Sequence, residues 1–439
     1  MNKEQFQLFP IKTDINKLDH LSIGGCDTNE LVKEFGTPLY IYDEFTLTEM
    51  CKIFSKEFKS RYPNTEIVYA SKAFSNLSIF KILEHQGLGL DVVSGGELAL
   101  AESINFPNKK IYFHGNNKTR KELKQALIYQ VGKIVVDNFY ELNLLNELAK
   151  DLKITQDITL RLSPGIDPHT HTYTTTGTLD SKFGFSLETG DAAKAFDTAN
   201  RMSNLQLTGI HFHLGSPIFE LEPYAVAIDK VLEFISKLEL DNQKQNLLEF
   251  SPGGGFAIGY IEKELPPPIS SYAETITKAL KDGCSKYGLA QPKLVIEPGR
   301  SIIGRAGIAL YKTGSIKVIP NVRKYISVDG GMGDNIRPAL YDSKYHAVVA
   351  NRMSDTRKDI ITIAGKFCES GDILVKDINM PIINPEDIIA IPASGAYNSA
   401  MSSNYNMNPR PPILLVNEGK AKLIRRGETY KDLIQYDIV

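Results

Sequence analysis

Eight short β-rich runs, bounded by turn residues and mostly separated by helical stretches, constrain this chain more than any other feature. They are EIVYASK (66–72), LGLDVVS (88–94), KIYFHGN (110–116), KIVVDN (133–138), ITLRLSP (158–164), LTGIHFHLGS (207–216), LLEFSPGG (247–254) and KLVIEPG (293–299). Amphipathic patterns at 77–85, 119–129, 139–152 and 224–238 fill most of the gaps. Eight β/α alternations over roughly 250 residues match a (β/α)8 TIM barrel, whereas a doubly wound sheet more often stops at about five to seven strands. The expected fold class is therefore α/β, with a TIM barrel over residues 45–300.

After about residue 300 the helical period fades. Strand-like segments at 305–313, 325–329, 359–364, 388–393 and 413–417 alternate with turns, which predicts a β-sandwich or barrel-like domain over 301–439. The first 44 residues precede the barrel, and their TPLYIY stretch (37–42) is expected to add a strand to that second domain. A chain of 439 residues is long enough for both. No internal repeat, low-complexity tract or linker stands out.

The charge balance, 50 Lys and Arg against 52 Asp and Glu, contains no long block of one sign, so nothing directs the chain to nucleic acid or an acidic membrane. A small molecule is the expected partner. The N-terminal MNKEQFQLFPIKTD has no basic segment leading into an apolar core, and no run approaches the roughly eighteen apolar residues of a membrane span. The expected location is cytoplasmic. Cys26, Cys51, Cys284 and Cys368 are far apart with no CxxC, which argues for reduced thiols over a disulfide framework or a thiolate zinc site.

In a TIM barrel, function gathers at the carboxyl ends of the strands. Here that rim would hold Lys72, Asp91, His211, His213, Gly215-Ser216, the triplet Gly253 to Gly255, and Glu297-Pro298-Gly299-Arg300. Taken singly, each has an ordinary explanation: Lys72 can be a strand-end lysine reaching solvent, and the glycines can be a turn. Together they suggest chemistry. A lysine can bond a carbonyl, and bare backbone N–H groups with a hydroxyl can cradle a phosphate. That combination describes pyridoxal phosphate, with the aldehyde at Lys72 and the phosphate at Gly254 and Gly255. The ring then calls for an imidazole on its face and a carboxylate at its nitrogen, and His213 and Glu297 are residues of those types. A competing chemistry is metal hydrolysis, since His211-Phe-His213 and Asp167-Pro-His169-Thr-His171 both contain HxH pairs. It leaves the glycine triplet and Lys72 without a purpose.

The ordered motifs YASKA (69–73), LDVVSGGE (90–97), HFHLGS (211–216), SPGGG (251–255), EPGR (297–300), DGGM (329–332), IRPALY (336–341), CESGD (368–372) and GAY (395–397) run nearly end to end. This set resembles the diaminopimelate decarboxylases, within the alanine racemase and ornithine decarboxylase type of pyridoxal phosphate enzyme. The resemblance implies the barrel-plus-β-domain fold and pyridoxal 5'-phosphate as cofactor. It implies Lys72 as the Schiff-base lysine, His213 stacked on the ring, and Glu297 facing its nitrogen. Ser216, Gly254, Gly255 and Tyr397 would lie toward the phosphate, with Asp91, Pro298, Gly299 and Arg300 also cofactor-binding. Arg300, Arg337, Tyr341, Glu369 and Tyr397 would meet the substrate, and Cys368 would donate a proton. It further implies a homodimer in which the Cys368-Glu369 segment reaches the other subunit's active site.

A carboxylate at the ring nitrogen favours decarboxylation, whereas an arginine there, as a racemase prefers, would weaken the electron sink. Paired arginines suit a substrate that keeps one carboxylate after losing another. The expected reaction is thus decarboxylation of meso-2,6-diaminopimelate to L-lysine. Decarboxylation of another basic amino acid (ornithine, D-ornithine, D-lysine or carboxynorspermidine) is the alternative enzyme, and a non-catalytic pyridoxal phosphate carrier or a metal-dependent hydrolase is the alternative class. The family often has Gln where this chain has Pro217, Asn where it has Gly333 and Pro where it has Lys366.

Overall fold

The computed structural model describes residues 3–167, 176, 180–240 and 248–439, and it divides into two compact units. One comprises Cys51–Ala257 and Pro267–Gly299; the other comprises Met1–Met50, Ile258–Pro266 and Arg300–Val439.

The first unit is a closed parallel barrel of Thr65–Ala70, Gly89–Val92, Ile111–Phe113, Lys133–Val136, Gln156–Ser163, Leu205–His211, Glu249–Ser251 and Lys293–Ile296. Each strand pairs with the next, and the eighth returns to the first through Leu294↔Thr65, Val295↔Glu66 and Ile296↔Ile67. These strands are covered on both faces, which explains why they read as near-continuous Val, Ile and Leu rather than as an apolar–polar alternation. Val68, Tyr69, Ile134, Val136, Leu160, Phe250 and Ile296 have no exposed surface.

The connecting helices start where short polar side chains satisfy the first free N–H groups. Asn76 caps Leu77–His85, Asn138 caps Phe139–Leu152, and Thr119 with Glu122 forms a capping box on Arg120–Tyr129. Lys118, just before that box, is buried and donates to Glu141, Gly115 O and Val135 O at 2.7–2.8 Å. An unpaired charge left there costs about 3–5 kcal/mol, so the Lys118–Glu141 pair holds this loop as a unit.

The two ends of the barrel differ in charge economy. At the amino ends of the strands, Lys293 meets Glu66 and Glu249 at 2.7 and 2.6 Å, Tyr112 donates to Glu249, and Lys133 meets Asp157 at 2.8 Å. Those charges are paired locally, two lysines against three carboxylates. The carboxyl ends carry the groups described below, and several of their polar atoms have no such partner.

The second unit is built around one long strand, Gly307–Ile319. Its first half lies antiparallel to Leu39–Asp43 on one edge and to Ile388–Ile391 on the other; its second half pairs with Arg323–Val328. A register shift between Thr313 and Ile316 separates the halves, so one strand serves two sheets. The N-terminal segment does add a strand, as expected, because Leu39–Asp43 also runs parallel to Ile413–Asn417. Leu39, Ile41, Ile308, Leu310, Ala390, Leu414 and Val416 form the apolar core between these strands. Beneath it, burial pushes the Asp334 carboxyl up to about 7 while Tyr311 and Tyr40 donate to its Oδ1. Ile373–Met380 and Lys420–Arg425 are strands that the sequence reading does not name, as are the short Thr13–Ile15, Leu21–Ile23, Cys26–Asp27 and Val348–Val349. Among the described residues no helix is long and apolar enough to cross a membrane.

Candidate active site

The carboxyl rim of the barrel collects most of the residues that the sequence pointed to. Lys72 follows the first strand on the short turn Ser71–Ala73 and is exposed rather than buried. Asp91 lies in the second strand, His211 ends the sixth, and Glu297 follows the eighth directly. Pro298 and Gly299 lie against the end of the first strand. The Ala70 N–H donates to Pro298 O at 3.2 Å, and a Cβ on Gly299 would fall 3.0 Å from Ala70.

Glu297 is the electrostatic centre of this rim. Ser251 Oγ donates to its Oε1 at 2.8 Å, and His211 Nε2 lies 3.0 Å from its Oε2. Burial alone would raise this carboxyl, but the histidines His211 and His114 and the hydrogen bonds from His211 and Ser251 hold it well below the usual carboxylate range. Burial pushes both His211 and His114 down, while the neighbouring Glu297 charge draws them up. Asp91 goes the other way: burial first, then the neighbouring Glu297 charge, raise it well above its ordinary value. The two acids are therefore pushed in opposite directions, with the buried Arg161 facing both.

His213 sits two residues beyond the sixth strand, and its Nδ1 accepts from the Gly254 N–H at 3.3 Å. Burial and then the Lys72 charge keep it neutral. His211 thus turns to Glu297 and His213 to the glycine loop, so the HxH pair does not act as one chelating face. His169 and His171 lie outside the described residues.

The glycine triplet admits no side chains. A Cβ on Gly254 would lie 2.3 Å from Glu297 O, and at Gly255, whose φ is +105°, it would lie 2.6 Å from Tyr224 Oη. Among the described residues the buried Gly255 N–H finds no acceptor. His114 Nε2, His211 Nδ1, Asp91 Oδ1 and Ser71 Oγ are likewise buried without hydrogen-bond partners. A bare-backbone loop, an exposed lysine and buried polar atoms awaiting partners fit a phosphorylated aromatic aldehyde. Ser216, half-buried, completes the sixth-strand loop and precedes Pro217 across a cis peptide bond.

The strand-rich unit holds a second group. Arg300 and Arg337 are buried, and their NH1 atoms donate to one oxygen, Tyr260 Oη, at 2.5 and 2.7 Å. Arg300 also lies over the Tyr397 ring, whose backbone is in the left-handed region at φ +64°. Tyr341 ends the short helix Arg337–Tyr341 and is half-buried. Cys368 and Glu369 are exposed, whereas the other three cysteines are buried. Asp372 holds their turn by accepting from Met332 N at 2.6 Å and Phe367 N at 2.8 Å. The departures at Gly333 and Lys366 have local counterparts. The Phe367 ring lies where a side chain at 333 would go, and the Lys366 N–H donates to Gly330 O, a bond proline could not make.

Sequence reasoning passed over His114, Arg161, Ser251 and Tyr260. His114 follows the third strand in HGN, and Ser251 stands at the head of SPGGG, so rim position alone could have found both. Arg161 is interior to a strand, and Tyr260 carried no pattern.

The family described as "Pyridoxal-dependent decarboxylase, pyridoxal binding domain" matches residues 48–304. The chain is 44% identical over 423 residues to the diaminopimelate decarboxylase of Bacillus subtilis (strain 168), covering 96% of each chain. Its structure superposes with a TM-score of 0.91 on diaminopimelate decarboxylase from M. jannaschii in co-complex with L-lysine, at 35% identity over 97% of this chain and 98% of that one. The lysine/ornithine decarboxylase of Vibrio vulnificus, complexed with putrescine, shares the fold at a TM-score of 0.76 but only 23% of the sequence, covering 89% of this chain and 97% of that one.

Proposed function

This chain belongs to the diaminopimelate decarboxylases, a family of pyridoxal-dependent enzymes, and from that premise we propose that it removes the D-centre carboxylate of meso-2,6-diaminopimelate, giving L-lysine and carbon dioxide as the closing step of lysine biosynthesis. Pyridoxal phosphate, when bound, supplies an electron sink for the pair left behind as carbon dioxide departs. The observation that carries the reading is the buried Glu297, held well below the usual carboxylate range by His211, His114 and Ser251 while Asp91 beside it is pushed up. A carboxylate held low at that place would favour a proton on the ring nitrogen of the bound cofactor, which would deepen the sink.

The remaining residues take roles that follow from their chemistry. Lys72 would hold the aldehyde, and His213 would cover the ring face. Ser216, Gly254, Gly255 and Tyr397 would hold the phosphate, with Asp91, Pro298, Gly299 and Arg300 completing the cofactor site. Arg300, Arg337, Tyr341 and Tyr397 bind the carboxylate that the substrate keeps, and Glu369 meets its distal ammonium. Cys368 gives a proton to the α-carbon, a role that its exposure supports. Barrel residues 45–300 act with a β-domain of residues 1–44 and 301–439, in the cytoplasm.

The enzyme acts as a homodimer, the Cys368-Glu369 segment of each chain serving the other subunit's site. Two inactive proteins, Lys72→Ala and Cys368→Ala, test this reading when mixed under conditions of subunit exchange. If the sites are shared, lysine formation should return to about a quarter to a half of the wild-type level, since each mixed dimer has one site with both groups. Exchange without any recovery of activity would show that each chain completes its own site.

A further inference from the structure

Arg337 is 5% exposed, and among the described residues it makes no ion pair. Among the described residues its side-chain hydrogen bonds go to hydroxyls alone: Tyr260 and Tyr345 on NH1 at 2.7 and 2.9 Å, and Ser343 on NH2 at 3.3 Å. A guanidinium buried among neutral groups is costly unless an anion joins it. Arg300, also buried, sends its NH1 to the same Tyr260 oxygen at 2.5 Å. Two cations thus meet at one point against their mutual repulsion, and one phenol oxygen is an acceptor common to both.

Tyr260 is itself firmly seated. Its carbonyl accepts from the His346 N–H at 3.1 Å, and its ring packs edge-on against Tyr345 with centroids 5.2 Å apart. Arg337 lies 4.8 Å over the Tyr260 ring and Arg300 lies 5.8 Å over it, so the ring guides both cations as well as the hydroxyl does. Both lone pairs of the oxygen are taken by guanidinium donors. Among the described residues the phenolic hydrogen has no acceptor, which leaves it as a third donor beside the two arginines.

We propose that Tyr260 is a positioning and specificity-determining residue, which clamps Arg300 and Arg337 into one binding site for the carboxylate that the substrate retains. The proposal rests on the reading above that these two arginines bind that carboxylate. It separates a substrate with a second carboxylate from a diamine precursor that has none, because the clamp rewards only an anion.

The test is steady-state kinetics of Tyr260→Phe holoenzyme with meso-diaminopimelate, with Arg337→Lys alongside. Loss of a hydrogen bond to a charged group is worth roughly tenfold to a hundredfold in affinity, so KM should rise by that factor while kcat stays close to wild type. A fall in kcat with KM unmoved, or no change in either, would overturn the proposal. Should the phenylalanine variant not fold, Tyr260→Leu carries the same expectation. The Arg337→Lys arm distinguishes the two claims. A raised KM there with an unchanged KM in the Tyr260 variant defeats the clamp alone, whereas an unchanged KM in both defeats the carboxylate reading itself.

Discussion

Replacing Lys72 by alanine is expected to lower lysine formation by roughly a thousandfold or more while leaving the fold intact, since loss of a nucleophile that also handles protons removes two contributions at once. Lys72 is exposed, and among the described residues its Nζ makes no hydrogen bond, so the expected stability change is within about 0.5 kcal/mol. Its charge is nonetheless felt by Asp91, Glu97 and His213, which marks it as facing the same cluster. The readout is twofold. Borohydride treatment of the wild type should fix pyridoxal phosphate on the peptide containing Lys72, as mass spectrometry reports; the variant should carry none. Cofactor fixed at another lysine, or activity within about tenfold of wild type, would remove Lys72 from the role given to it.

Glu297→Gln should have the next largest effect, because it deletes the carboxylate that is held well below its usual range at nearly constant shape. An amide keeps one acceptor oxygen for His211 and turns its NH2 to Ser251, whose hydroxyl then accepts instead of donating, so the geometry survives without the charge. Removal of a preorganised electrostatic contact of this kind costs about 10²- to 10³-fold in kcat. The cofactor should remain bound, since the glycine loop and Lys72 are untouched; its content can be measured after denaturation. A variant with full cofactor and near-normal kcat would show that the protonated ring is not what drives loss of carbon dioxide.

The barrel was legible because its eight strands are short, apolar and punctuated by glycine, proline, serine and asparagine, and because the helices between them carry caps such as Thr119 and Asn138. The strands that escaped notice have physical reasons to do so. Lys420–Arg425 is an exposed edge strand written as KAKLIR, and Ile373–Met380 carries Lys376, Asp377 and Asn379 on its outer positions. Their pairing comes from neighbours far along the chain, which no local pattern reports.

The site divides in the same way. Lys72, Asp91, Glu297 and the glycines stand at strand ends, where the fold itself predicts function. His114 and Arg161 act through the third dimension: His114 lies 3.7 Å from Glu297 across the barrel, 183 positions away in sequence order, and Arg161 meets Asp137. The ionisation pattern was not readable either. That Glu297 is held low while Asp91 is pushed up depends on which of them Ser251 and His211 reach, and the local sequence around either acid is silent about that. Tyr260 shows the same limit, since its neighbours Arg300 and Arg337 come from two other stretches of chain.

The most direct test of the account follows the carbon that loses its carboxylate. Holoenzyme given meso-diaminopimelate in deuterium oxide should release carbon dioxide and L-lysine in equal amounts, with a single deuterium at the ε-carbon of the lysine. That outcome places both bond cleavage and proton return at the D-centre. Deuterium entering diaminopimelate without release of carbon dioxide, or no lysine at all while another basic amino acid is decarboxylated, would contradict it.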